Sequence, residues 1–345
     1  MNKLYSVYNA ALAVTVAAAT LTSPSLHAAD YKAEYRLSTV LGTAFTWGKA
    51  GERWAELINQ KTDGRIKVKQ YPGTSLVGGD QTREFSAIRQ GVIDLAIGSS
   101  INWSPQVKQL NLFSLPFLVP DAKGLDALIK GEVGKDLFTI LDKQGVVPLA
   151  YGENGFREIS NSKQPITSPA DLKGMKIRIV GSPIFIDSFT ALGANPTQMS
   201  WADAQPALAT KAVDGQENPL SVFSIAKLHT LGQNHLTLWG YMADPLIFVV
   251  SKQVWKTWSE TDRKAVREAA EQAAAENLVA ARKGITPGDD ALLKSIEKNG
   301  VTITRLTPEQ RKAFQDATRP VFDKWTATVG KELVKKAETA IANTK

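Results

Sequence analysis

The stretch Ser168-Pro169-Ala170-Asp171-Leu172-Lys173-Gly174-Met175-Lys176-Ile177-Arg178-Ile179 decides the fold. Ser168 followed by Pro169 is a helix-start pair: a hydroxyl cap, then a ring suited to the first helical position. Met175, Ile177 and Ile179 then alternate with Lys176 and Arg178. In a strand, this puts the apolar side chains on one face and the cations on the other. The same order repeats downstream. Residues 183–192 predict a helix stopped by Gly193, and Ser200-Trp201-Ala202-Asp203 has the pattern of a capping box. Val213-Asp214 leads into a stretch, Gly215-Gln216-Glu217-Asn218-Pro219, that reads as a loop.

Upstream the rhythm is the same. Residues 35–40 alternate as a strand, and Trp47, Ala50, Gly51, Trp54, Leu57 and Ile58 line one side of a helix ending near Gly64. Residues 66–71 form a strand closed by Pro72-Gly73. A Gly78-Gly79-Asp80 turn opens another helix, with Phe85 and Ile88 inward. Residues 92–98, 146–151 and 246–251 read as buried strands. Alternating strands and helices predict an α/β fold with a mainly parallel sheet. Further on, Ser259 starts an Ala-rich helix that Gly284, Pro287 and Gly288 should break, and the tail after Thr307 is helical.

The chain has 345 residues, which favours about two domains. No flexible tether is visible, so the crossings between domains are expected near residues 152–155 and 243–245. Hydrophobic residues are 43% and charged residues 22%, as in globular proteins. Lys and Arg total 41 against 34 Asp and Glu, a net charge of +7. The two signs are interspersed, which argues for a solvated surface and against nucleic-acid binding. With no cysteine, there are no disulfides or thiolate sites. The three histidines lack the spacing of a helical metal pair. No cofactor or metal is expected.

At the N-terminus, Lys3 precedes an uncharged run over residues 10–21, followed by Pro24 and Ser25-Leu26-His27-Ala28-Ala29-Asp30. This is the pattern of a signal peptide, residues 1–29, cleaved after Ala28 or Ala29. It predicts a protein exported from the cytoplasm.

No Gly-x-Ser-x-Gly and no phosphate loop is present. Binding is the better reading. Arg178 ends an apolar strand, where a guanidinium can enter the crevice of an α/β sheet and grip a carboxylate through two parallel hydrogen bonds. Arg157 lies on the first predicted crossing. A surface salt bridge for Arg157 and an exposed strand face for Arg178 are equal alternatives. Trp47, Trp103 and Trp201 are either core or the walls of a pocket, and Asn218 either satisfies its turn or presents an amide to a ligand.

Taken together, the segments resemble the extracytoplasmic solute receptors of tripartite ATP-independent periplasmic (TRAP) transporters, of the dicarboxylate-receptor type. The resemblance rests on Asp171-Leu172-Lys173-Gly174-Met175-Lys176-Ile177-Arg178, on Ala191-Leu192-Gly193-Ala194-Asn195-Pro196-Thr197 and on Val213-Asp214-Gly215-Gln216-Glu217-Asn218-Pro219. Gly155-Phe156-Arg157-Glu158-Ile159-Ser160-Asn161, Gln90-Gly91-Val92-Ile93-Asp94 and Leu115-Pro116-Phe117 support it. It covers residues 35 to 318, about.

The resemblance implies a periplasmic-binding-protein-like fold with two α/β lobes around a cleft and a helical C-terminal region. Lobe I would take residues 30–153 and about 244–284, and lobe II residues 154–243 and about 285–345. Arg178 would be the principal carboxylate contact, with Arg157 and Asn218 as further polar contacts and Trp201 as an aromatic wall. Trp47 would start the helix that faces the cleft. Ser99, Ser100, Asn102 and Trp103 lie in the first-lobe segment that reaches the ligand. The implied partners are a small organic acid and the TRAP permease subunits, with the receptor a monomer and not an enzyme. The alternatives are a receptor for an ATP-driven importer and a periplasmic enzyme acting on a small acid. Two departures stand out: Pro206 inside a helix, where it would shift Trp201, and Pro287-Gly288 within the region of the family's long helix.

Overall fold

The computed structural model describes residues 31–344. The leader lies outside the described residues. One nine-stranded sheet runs through the molecule. Its strands are β1 (Tyr35–Thr39), β2 (Val68–Tyr71), β3 (Leu95–Ser99), β4 (Val146–Asn161), β5 (Lys176–Ile179), β6 (Asn195–Gln198), β7 (Gly215–Pro219), β8 (His235–Ser251) and β9 (Thr302–Arg305). The order is β2-β1-β3-β8-β4-β7-β5-β6, with β9 beside β8. Fold class and α/β alternation are as the sequence predicts.

The sheet's direction differs from the expectation. Each end is parallel, β2-β1-β3 and β7-β5-β6, but the centre is antiparallel. The reason is the 16 residues of β4 and the 17 of β8, which run against each other through both halves. Glycines and Pro245 suggested strand ends in the sequence. In the structure they sit at register shifts inside continuous strands, between Glu153 and Gly155 and between Arg157 and Ile159. The stretch 215–219, read as a loop, is β7, paired with β4 and β5.

Side-chain alternation divides the core. Ala96, Ile247 and Val249 face a cluster that covers one side of the sheet across both halves, reaching Ile177 and Ile179. Leu95, Ile97, Leu246, Phe248 and Val250 face the other way, into a cluster with Trp54, Val266 and Ala270. A third cluster, around Leu208, Phe223 and Leu236, lies beyond it in the second half. Trp201 packs against both of the latter two clusters. The long helix Glu260–Arg282 lies on helix Thr46–Lys61, and its Asn277 Oδ1 accepts the Glu153 N–H at 2.7 Å. It stops before Pro287, as those breakers predict.

Candidate ligand site

Strands β1, β3, β5 and β7 point their carboxyl ends at the middle of the molecule, where α/β sheets hold ligands. A cavity of about 20 Å³ lies there. Larger surface hollows exist, one of about 400 Å³, but its charged residues Asp316, Arg319 and Glu338 are exposed and carry no desolvated charge.

Arg178 projects into the cavity from β5. It is 1% exposed. Its Nε and Nη2 both donate to the Met199 carbonyl, at 3.2 and 2.9 Å, and its guanidinium stands 5.9 Å from the Trp201 ring. Among the described residues no carboxylate forms a salt bridge with it. Burial pushes its pKa down to about 10; Glu217 opposes that shift and Arg157 adds to it. A buried cation bonded only to a neutral carbonyl is suited to receive an anion.

Arg157, on β4, is equally buried but differently paired. Its Nε and Nη2 form a fork onto the Glu217 carboxylate, and its Nη1 donates to Asp244 at 3.0 Å. Nη2 also reaches the Glu217 carbonyl and Asn218 Oδ1. Burial lowers its pKa, but the two carboxylates more than reverse this and the net shift is upward. The salt-bridge alternative thus holds for Arg157, though buried and not at the surface.

The bulge between Glu153 and Gly155 makes Asn154 the extra residue opposite Asp244. Asn154 Nδ2 donates to Asp244 at 2.8 Å. Gly155 holds φ at +136°, and a Cβ there would come within 2.9 Å of Pro219, so only glycine fits. The bulge thereby aims Asn154 and Asp244 into the cavity.

Three contacts join segments from the two halves beside the cavity. The Trp201 N–H donates to Gln81 Oε1 at 3.0 Å, the Ser104 and Ser182 hydroxyls are 2.8 Å apart, and Ser182 donates to Asn111 at 3.2 Å.

A family model described as bacterial extracellular solute-binding protein, family 7, matches residues 37–328. The chain is a TRAP solute-binding receptor of family 7. A TRAP periplasmic solute-binding protein of Ralstonia eutropha H16, solved with (S)-2-acetolactate bound, is 64% identical to it, with a TM-score of 0.90 over 91% of this chain and 100% of that one. The galactonate complex of a sugar-acid-binding protein from Advenella mimigardefordensis is 29% identical, with a TM-score of 0.84 over 90% and 98% of the chains. The 2,3-diketo-L-gulonate-binding periplasmic protein of Escherichia coli K12 is 33% identical over 78% of this chain and 79% of its own.

In this receptor, Trp47, Ser99, Asn102, Arg157, Arg178, Trp201 and Asn218 all line the cavity. Ser100 and Trp103 do not. Trp103 turns into the core beside Phe85, and its indole N–H donates to Glu84 at 2.9 Å. The Ser100 hydroxyl is buried away from the cavity. Asn218 stands on β7 and not in a turn. Pro206 sits inside helix Trp201–Ala209, yet Trp201 keeps its place on the wall.

Sequence reasoning missed Gln81, Asn154, Asp244 and the flanking Val40, Leu41 and Val180. Asn154 and Asp244 fall within the two predicted crossings. A polar residue at a crossing was the available signal. Among the described residues no helix is long and apolar enough to cross a membrane, and no three acidic, His or Cys side chains group as a metal site.

Proposed function

We propose that this receptor captures a compact organic acid in the periplasm, takes its carboxylate on Arg178, and presents it to the permease subunits of a TRAP transporter. The observation that carries the reading is the buried Arg178 guanidinium, bonded to one neutral carbonyl and facing the cavity. A carboxylate there would gain a charge-assisted bond in a low-dielectric setting and would relieve the desolvation that depresses the Arg178 pKa. Micromolar affinity needs about 8 kcal/mol, more than one pair supplies. The amides of Asn102, Asn154 and Asn218 and the faces of Trp47 and Trp201 share that work.

The acetolactate in the 64% identical Ralstonia protein supports a small branched acid as the ligand. The halves built on β1-β2-β3 and on β5-β6-β7 act as the lobes, the receptor works as a monomer, and residues 1–29 direct its export.

Calorimetry tests the reading. With (S)-2-acetolactate as probe, Arg178→Ala should lose about 2–5 kcal/mol of binding, since a buried charged pair is broken. Arg178→Lys should bind almost as poorly, because an ammonium cannot reproduce the fork. Wild-type affinity in a folded Arg178→Ala protein would refute the proposal.

A further inference from the structure

The cavity contains two arginines but a single uncommitted cation. Arg157 is neutralised by Glu217 and Asp244. Arg178 is the partner left for a ligand's carboxylate. Two buried guanidinium groups thus face two buried carboxylates, in balance before any ligand enters. A monocarboxylate adds one negative charge to this set. A dicarboxylate adds a second, for which no unpaired cation remains among the residues lining the cavity.

Asp244 has a defined remaining capacity. Its Oδ2 accepts from both Asn154 Nδ2 and Arg157 Nη1, which fills that oxygen's two lone pairs. Its Oδ1 accepts from Ser99 Oγ alone. One lone pair on Oδ1 therefore remains, and the residue lines the cavity. Ser99 cannot serve a ligand as donor, because its proton goes to Asp244 and its oxygen takes the Ile101 N–H. Trp47 is likewise engaged, its indole N–H donating to the Ile97 carbonyl at 2.8 Å.

Resting on the reading of Arg178 as carboxylate contact, we infer that Asp244 sets specificity: it accepts a hydroxyl of the ligand and repels a second carboxylate. The preferred class is then a hydroxy monocarboxylic acid. A buried acceptor built for a hydroxyl discriminates strongly against the analogue lacking it, because its desolvated charge is left without a donor. Like charges brought together in a closed site raise the cost of a dicarboxylate.

The test uses the mature receptor and three probes: 2-hydroxy-3-methylbutanoate, 3-methylbutanoate and succinate. Calorimetry should show wild type binding the hydroxy acid at least about tenfold more tightly than either of the others. Asp244→Asn should narrow both gaps by about tenfold, since the amide removes the negative charge and releases one Arg157 N–H. Wild type binding succinate or the deoxy acid as tightly as the hydroxy acid overturns the inference, and that comparison needs no variant to fold. A folded Asp244→Asn protein with both gaps intact overturns it as well. The Arg178 reading fails separately: Arg178→Ala must weaken binding of all three probes, whereas Asp244→Asn must narrow the differences between them.

Discussion

Arg157 and Arg178 are chemically identical, equally buried and 21 positions apart, yet their surroundings give them different work. Arg157 is held by a carboxylate fork, so it belongs to the framework of the site. Removing it leaves Glu217 and Asp244 buried without their counter-charge. Arg157→Ala should therefore cost about 3–5 kcal/mol of stability in urea unfolding without ligand. Arg178→Ala should cost far less, because it deletes a cation whose burial already lowers its pKa to about 10. Its loss should appear in binding. Equal destabilisation by the two variants would contradict this division. The sequence could pick out both arginines but could not assign these roles. The partners that decide them, Glu217 and Asp244, lie 60 and 87 positions from Arg157. Trp103 shows the same limit: local pattern does not reveal that its indole turns toward Glu84.

At the scale of elements, β4 and β8 do what short parallel strands could not: they carry one backbone frame across both halves. Their third register shift, between Arg157 and Ile159, opens a gap at Trp239 and Gly240. Glu158 fills it, its carboxylate accepting both backbone N–H groups at 2.7 and 2.9 Å. Burial raises its pKa to about 7, against the pull of those two N–H groups and of Arg311. An acid with a raised native pKa favours folding while protonated in both states. The unfolded carboxyl ionises first as pH rises, so this stability is lost between about pH 4.5 and pH 7. Glu158→Gln keeps an acceptor for both N–H groups and cannot ionise. It should flatten the fall in stability from about pH 5 to pH 8, by up to about 3 kcal/mol. An unchanged pH profile in melting experiments would rule this out. These strands also mark where legibility ended. The α/β alternation at each sheet end follows from local periodicity and was readable. The central antiparallel pairing was not, because Gly152, Gly155, Gly240 and Pro245 look like strand ends until the long-range pairing absorbs them as shifts. Gly215 and Pro219 hid β7 in the same way.

At the scale of the molecule, the proposed capture has the two halves meet around the ligand, and the seam has one position where this can be tested without touching the ligand. Gly181 follows β5 and faces Thr82 across the seam. A Cβ at Gly181 would lie 2.4 Å from Thr82 Cγ2 and 3.0 Å from Gln198 Nε2. Gln198 can swing aside, but Thr82 is short and tied to Asp80 through both its hydroxyl and its N–H. The backbone at Gly181 has negative φ and tolerates a side chain by itself. A larger residue therefore meets its obstacle in the arrangement seen here, with the halves together, and would escape it if they part. Gly181→Val should leave the melting temperature without ligand near wild type and weaken acetolactate binding by the overpacking cost of about 1–3 kcal/mol, roughly 5- to 150-fold. Small-angle scattering should show wild type contracting when acetolactate is added and the variant contracting less, since the ligand must then work against the clash. If the variant binds and contracts as wild type does, the seam at Gly181 and Thr82 is not where the halves meet. If it instead fails to fold, the clash lies in both states and closure is not what the glycine serves.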